Sequence, residues 1–526
     1  MLATYCQYPA GQITLQITLY GLIAGSDNDN DCHFKAESAE LGGVNASIPS
    51  RLLPIPCLCK VRYLLLQCCN LGISISIHQL EIMKSAFTIF CLAFLSLQSK
   101  GENWPHWRGP YFNGSSTEQN LPADFSKTNN VKWAIPLPGT SAATPIIWND
   151  HILISSADDR AKAMRALCLD RKSGKVLWDQ EIGTGYNLDD KSNFSSPSPV
   201  TDGKLVVYYY GNGELAAFDF SGKKLWSRNV QKDYGQFAYQ WTYGASPTLY
   251  REKLFIQVLQ RNEPVHGRGR TDSPIDSYLL ALDPATGKEL WKHVRPSDAK
   301  MESREAYSTP IPFENNGRSE LLVAGGDAIT GHDSKTGEEL WRWSTYNPNF
   351  ITHWRLVPSP VAGGGVVLVC APKGAPVYAF KAGAKGKQDD SVIAWKSTER
   401  EVSSDVATPL FYKGRFYILK GEPPRAAISR IEPATGKVEW TGQLDTRIKV
   451  ESSPTAADDK IYFQNFRGEV FVVAAADHFK LLATIPMGDE GDDQLRSSIA
   501  ISQDELFIRT GHKLYCVGSP TKVSSR

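Results

Sequence analysis

No stretch of this 526-residue chain reaches the ~18–20 consecutive apolar residues that a membrane-crossing helix needs. There is no net field either: 57 Lys and Arg against 56 Asp and Glu leave a formal charge of +1, so charge gives no argument for nucleic acid or an acidic membrane surface as partner. The chain also lacks C-x-x-C and C-x-x-C-H, which removes the common thiol-based metal, redox and haem-attachment signatures. A phosphate loop, a nucleophile–base pair and a metal-ligand cluster are likewise missing from the sequence. With 42% hydrophobic and 21% charged residues, the composition is that of a globular protein with a large core.

What the chain has is recurrence. In Ala281-Leu282-Asp283-Pro284-Ala285-Thr286-Gly287-Lys288-Glu289-Leu290-Trp291 an apolar run suited to a strand meets turn chemistry and then a second strand. The Asp carboxylate accepts from backbone N–H groups two residues on, Pro284 fixes its φ, and Gly287 supplies a left-handed conformation. The same acidic residue, Gly and Trp recur at Asp170/Gly174/Trp178, Asp333/Gly337/Trp341 and Glu432/Gly436/Trp440, with a shorter turn at Asp219/Gly222/Trp226. A period of this size marks a repeat architecture, in which each Trp lays its ring on the neighbouring sheet while its indole N–H finds a carbonyl.

A second signature opens each unit: a hydroxyl residue, Pro, then an apolar strand, at Thr144-Pro145, Ser198-Pro199, Ser246-Pro247, Thr309-Pro310, Ser359-Pro360, Thr408-Pro409 and Ser453-Pro454, with Ser498-Ile499 as a copy lacking Pro. Pro has no amide donor and belongs at an edge, which fits the innermost strand of a radial sheet. Eight openings predict eight four-stranded antiparallel units. The fifth keeps Trp395 but reaches it through a long Gly/Lys loop, and the seventh has lost both Gly and Trp. The eighth ends near Val517 without an outer strand. Val131 to Ile135, around Trp133, supplies one, so that the two ends of the domain pair and close a ring. The expected docking residues are Trp133, Trp178, Trp226, Trp291, Trp341, Trp395 and Trp440. The fold class is therefore an all-β, eight-bladed β-propeller closed by an N-terminal strand.

Residues 1–82 hold six of the ten cysteines and no copy of the repeat, and are expected to be a non-native or disordered extension. Met83-Lys84, the apolar run from Ala86 to Leu97 and the small residues Ser99 and Gly101 read as a signal peptide over 83–101, which implies export. Residues 102–130 form a lead segment, 131–518 the propeller and 519–526 a disordered tail. The exported part keeps Cys168, Cys370 and Cys516, expected as buried thiols.

The repeat resembles the pyrroloquinoline quinone (PQQ) repeat family, whose docking motif A-x-D-x-x-T-G-K-x-x-W is matched at every fixed position by Ala281 to Trp291. Trp104-Pro105-His106-Trp107-Arg108-Gly109-Pro110 and Leu506 to Thr510 are similar to a secreted subgroup found in planctomycete-like bacteria. The propeller subunit of the outer-membrane barrel-assembly machinery is also similar. That resemblance implies a periplasmic or secreted, monomeric, non-catalytic scaffold that needs no cofactor and binds an envelope protein or polysaccharide, with neither nucleic acid nor a membrane span involved. A runner-up that it implies is a PQQ- and Ca²⁺-dependent alcohol or aldose dehydrogenase, with Glu305, Asn193 and Asp405 as the residue types near the metal and base positions. The adjacent-cysteine disulfide of many such enzymes has no counterpart, since Cys68-Cys69 lies outside the propeller. A third reading is a carbohydrate-binding or sensing module.

Short connections fall on one face of such a ring and long ones, including 184–192, 229–243, 259–277, 295–307, 344–355 and 486–496, on the other. Long loops on a rigid scaffold are where binding usually sits. The residues just before the inner strands are expected at the channel mouth: Asn193, Trp241, Tyr243, Glu305, His353, Trp354, Arg355, Asp405, Glu451 and Arg496. Two charged loops, His266 to Arg270 and Asp489 to Asp493, are weaker candidates for an anion and for Ca²⁺.

Overall fold

A computed structural model describes residues 101–519, apart from 186–188 and 190. The extension 1–82, the signal peptide except Gly101, and the tail except Ser519 lie outside the described residues, as does part of the 184–192 loop.

The strands form eight sheets, seven of four strands and one of five. A regular blade is the third, built from Thr248–Tyr250, Lys253–Val258, Tyr278–Leu282 and Glu289–Val294 in order from the inside outward. Every inner strand begins after the hydroxyl–Pro step, at Ile146, Val200, Thr248, Ile311, Val361, Leu410, Thr455 and, in the copy without Pro, Ala500. Blades stack face to face, so their second and third strands are buried on both sides and read as mainly apolar runs, broken in Lys253–Val258 by the buried Gln257, whereas the outer strand Glu289–Val294 mixes exposed and half-buried positions. One interblade core shows the principle: Cys168 and Trp178 of blade one pack with Tyr208 and Phe218 of blade two. Cys168, Cys370 and Cys516 are free and buried, and burial lifts the Cys168 thiol to about 12.

Closure is as expected. Val131–Pro136 pairs antiparallel with Lys513–Gly518, placing Trp133 opposite Cys516 and Ala134 opposite Tyr515.

The docking turns combine two requirements on one glycine. Gly287 has φ +70°, and a β-carbon there would stand 2.6 Å from the Trp226 ring of the preceding blade. The same arrangement puts Trp133 on Gly174, Trp178 on Gly222, Trp291 on Gly337 and Trp395 on Gly436. Asp283 accepts from the N–H groups of Ala285 (2.8 Å) and Thr286 (3.1 Å), and the carbonyl after it, that of Pro284, accepts the Trp226 indole N–H at 2.8 Å. Trp133, Trp178, Trp395 and Trp440 donate likewise to Arg171, Phe220, Pro433 and Ala476. Trp291 keeps the ring contact, but its indole N–H has no acceptor.

Trp341 departs from the expected role. Its ring lies on Gly331 of its own blade and its N–H goes to the buried Glu320 carboxylate, 2.7 Å away. Docking onto blade five is done by Trp343, whose ring centroid is 5.3 Å from Tyr378 and 5.0 Å from Phe380 and whose N–H reaches Asp390 at 3.0 Å. The reason is the Gly/Lys loop of blade five. Instead of remaining a loop, its residues Gly386–Gln388 add a parallel fifth strand beside Trp341, Arg342 and Trp343 of blade four. In blade seven, which has no glycine at the turn, Phe479 meets Trp440 at 5.7 Å.

Candidate functional site

Within each blade opening, the hydroxyl residue precedes Pro and is thereby restricted to extended backbone. In that conformation its N–H and hydroxyl face the two neighbouring blades. The N–H of Thr144 donates to Ser198 Oγ (2.9 Å), Ser198 to Ser246 (3.0 Å), Ser246 to Thr309 (3.1 Å) and Thr309 to Ser359 (2.9 Å). Ser359 continues to Thr408 (2.9 Å), Thr408 to Ser453 (3.0 Å), Ser453 to Ser498 (3.2 Å), and Ser498 returns to Thr144 (3.1 Å). The result is a closed belt of eight hydrogen bonds around the channel. Ser498, without a Pro, takes part on equal terms.

The lead segment crosses the channel on the short-turn side of this belt. Trp104 pairs with Ile147 of blade one, the Pro105 carbonyl accepts from Thr201 of blade two, Asn113 from Phe411 of blade six, and Gly114 from Ala456 of blade seven. Fully buried Arg108 pins it, donating to the carbonyls of Pro409 (2.7 Å), Pro454 (3.0 Å) and Asn113 (3.1 Å). Burial and the Arg108 charge push the His106 imidazole down to about 3, so the crossing carries a neutral histidine. Trp107 faces the channel and forms its floor.

Above the floor opens a cavity of ≈ 720 Å³, lined by Trp107, all eight belt hydroxyls and residues of the long loops. Five of the ten sequence-predicted residues line it: Trp241, Arg355, Asp405, Glu451 and Arg496. They are joined by Asp493 of the acidic loop and by charges not singled out in the sequence, Lys191, Glu302, Lys373 and Lys449. The acids are largely engaged by the protein itself. Glu451 pairs with Lys449 and Arg496, both at 2.6 Å, and Glu302 accepts from the Trp241 indole at 3.0 Å. Burial of Asp405 opposes its ionisation, yet the Arg355 guanidinium at 3.3 Å and the Lys373 amide hold its pKa below the ordinary value. Lys191 sits 5.7 Å above the Trp241 ring.

The other five are placed elsewhere. Tyr243 is buried between blades, its hydroxyl on the Gln257 carbonyl, and Glu305 is fully buried against Arg261 and Tyr307. Burial pushes the Glu305 carboxyl above its usual range despite those partners. Asn193 spends its amide on the Thr140 carbonyl (2.8 Å) and its oxygen on the Ser195 N–H, His353 is exposed outside the cavity lining, and Trp354 packs against the core of blades four and five. Both charged loops are also engaged internally: Arg268 donates to the Tyr239 and Gln240 carbonyls, and Asp489 pairs with Lys127 and Lys513.

An eight-bladed propeller closed by its own N-terminal strand, with a funnel floored from within, is the class that this geometry defines. The family model described as outer membrane protein assembly factor BamB matches residues 117–256 and 275–513, and the chain belongs to that family. It is also similar to a polyvinylalcohol dehydrogenase of Pseudomonas sp (25% identical over 205 residues, 37% of this chain and 28% of that one). A quinohemoprotein alcohol dehydrogenase of Comamonas testosteroni is 24% identical over 180 residues, 33% of this chain and 23% of that one. These matches thus span about a quarter of the relatives' length. Among solved structures, a europium-containing methanol dehydrogenase has a TM-score of 0.56 at 11% identity, covering 78% of this chain and 90% of that one. The Comamonas enzyme has 0.53 at 13%, covering 80% and 81%. These likenesses show the fold. The protein is a PQQ-like propeller related both to BamB and to quinoprotein dehydrogenases.

The residues expected to hold a Ca²⁺-bound quinone do not converge. Glu305 is locked to Arg261 outside the cavity lining, Asn193 braces two backbone segments, and only Asp405 reaches the funnel. Among the described residues no three His, Cys, Asp or Glu side chains cluster as a metal-ligand set, and no helix is long and apolar enough to cross a membrane.

Proposed function

We propose that the protein is an exported binding propeller that engages an envelope protein or polymer through its long-loop face. The observation that carries this reading is the blind funnel, open among the long loops and floored by Trp107, with its acids held by Arg355, Arg496, Lys449 and the Trp241 indole. Such a mouth presents an aromatic, fixed charges and a concave floor without demanding rearrangement, which suits recognition of a protruding loop or chain end. Its place is the periplasm or the cell exterior, in keeping with the signal-like segment 83–101 and the family's description as an assembly factor.

The test is capture from envelope extracts by the immobilised full chain, alongside a Trp241→Ala/Arg496→Ala variant. A partner retained by the parent and lost by the variant supports the reading; equal retention by both overturns it. Similarity to named dehydrogenases favours a second reading, oxidation of an alcohol or aldose with PQQ and Ca²⁺, in which the funnel holds the quinone.

A further inference from the structure

We propose that the funnel floor is a receptor for a carboxylate, presented by whatever enters the mouth. The inference rests on the funnel being the binding face, and deepens it.

Each belt hydroxyl accepts one backbone N–H, and none of the eight O–H groups has an acceptor among the described residues. All eight residues are 2–7% exposed, and all eight line the cavity. Hydroxyls one residue away are satisfied: Ser308 donates to the Ala324 carbonyl (2.7 Å), Ser452 to Gln464 (2.8 Å) and Ser497 to Arg509 (3.2 Å). At these three blade openings the belt hydroxyl keeps an open donor beside a neighbour whose donor is used; unpartnered buried serine hydroxyls also occur off the belt, at Ser155 and Ser195. Trp107, on the same cavity, adds a buried indole N–H that also lacks an acceptor. An indole nitrogen can only donate, so the floor has an excess of donors and calls for an acceptor-rich guest.

Charge above the floor selects the sign. Lys191, Arg355, Lys373, Lys449 and Arg496 line the cavity against Glu302, Asp405, Glu451 and Asp493. Three of those acids are neutralised by partners within the protein, while the ammonium groups of Lys191 and Lys373 have no carboxylate within ion-pair distance among the described residues. A guest with a positive tip meets this surplus, and finds on the floor only the second lone pair of each hydroxyl while the O–H and N–H donors stay unmet. A carboxylate meets both, and charge-assisted hydrogen bonds to O–H and N–H donors are the stronger kind. The belt cannot collapse around a small guest, because its radius is fixed by the hydrogen bonds that close it.

Calorimetric titration of the full chain tests this, with succinate and N-acetyl-alanyl-alanine as probes and the C-terminal amide of the same dipeptide as control, at constant ionic strength. Saturable binding of the carboxylates is expected, weakened about tenfold in the amide and about tenfold by Trp107→Phe, the loss of one such hydrogen bond. Thr309→Ser keeps the hydroxyl and should bind as the parent does, while Ser246→Ala/Ser359→Ala should bind less. Should that double variant fail to fold, Trp107→Phe still decides the matter. Equal binding of amide and acid, or carboxylate binding indifferent to Trp107→Phe, overturns the proposal. Preference for the dipeptide over succinate marks a peptide terminus as the source, and equal affinity marks the carboxylate alone. Rim-dependent partner capture that persists without carboxylate binding would sink this inference and leave the binding face standing.

Discussion

The junction between blades two and three and that between blades four and five solve one mechanical problem differently. At the first, an indole lies on a left-handed glycine and donates to a turn carbonyl. At the second, neither glycine of the blade-five loop, Gly383 or Gly386, lies against an indole, and the outer strand of blade four is covered by the added strand Gly386–Gln388. Trp343 takes over the contact, and Trp341 is turned inward to Glu320, which also holds Arg318, itself bonded to the Ala384 carbonyl of the added segment. Blade contact is thus a requirement that sequence can meet either with a repeated motif or with an inserted strand.

The two solutions should fail differently. Trp226→Ala removes a docking ring at the regular junction, and chemical denaturation should show a loss of about 3–5 kcal/mol with strand content unchanged. Gly287→Ala puts a methyl into the same ring and strains the backbone, costing about 1–3 kcal/mol. Gly386→Ala at the added strand meets open space and should cost only about 1 kcal/mol for its positive φ of 67°. Equal effects at the two glycines would remove the steric part of the argument.

A pH signature should appear in blade four. Asp327 is buried, with Asn347 on one oxygen and no partner on the other, and burial raises its carboxyl to about 7. A raised folded pKa means the native state binds the extra proton, so the contribution is full below the unfolded value near 4 and is lost as pH rises through 7. Stability should fall by about 2 kcal/mol from pH 5 to pH 8, and Asp327→Asn should flatten that profile. Trp341→Phe leaves Glu320 without its indole donor and should cost about 1–2 kcal/mol, less than the docking ring at the regular junction.

Hairpins, repeat count and closure were legible because turn chemistry is local and because a spare Trp strand at one end matched a missing one at the other. Trp343 was missed because Trp341 fits the motif and Trp343, two residues on, does not. The belt residues stood out as hydroxyl–Pro steps, but the bonds joining them link positions about fifty residues apart and leave no local mark. In the funnel, Trp241 and Tyr243 look alike in sequence, yet one lines the cavity and the other is buried between blades. Lys191, Lys373, Lys449 and Trp107 lie on segments outside the repeat, so periodicity could not point to them.

The reading of the funnel as a place of binding rather than turnover is tested most directly by titrating the purified full chain with PQQ in the presence of Ca²⁺, following quinone absorbance and dye reduction with alcohols and aldoses. The account predicts no stoichiometric quinone complex and no dye reduction, since Glu305 and Asn193 are committed elsewhere. One quinone per chain with substrate-dependent turnover would contradict it.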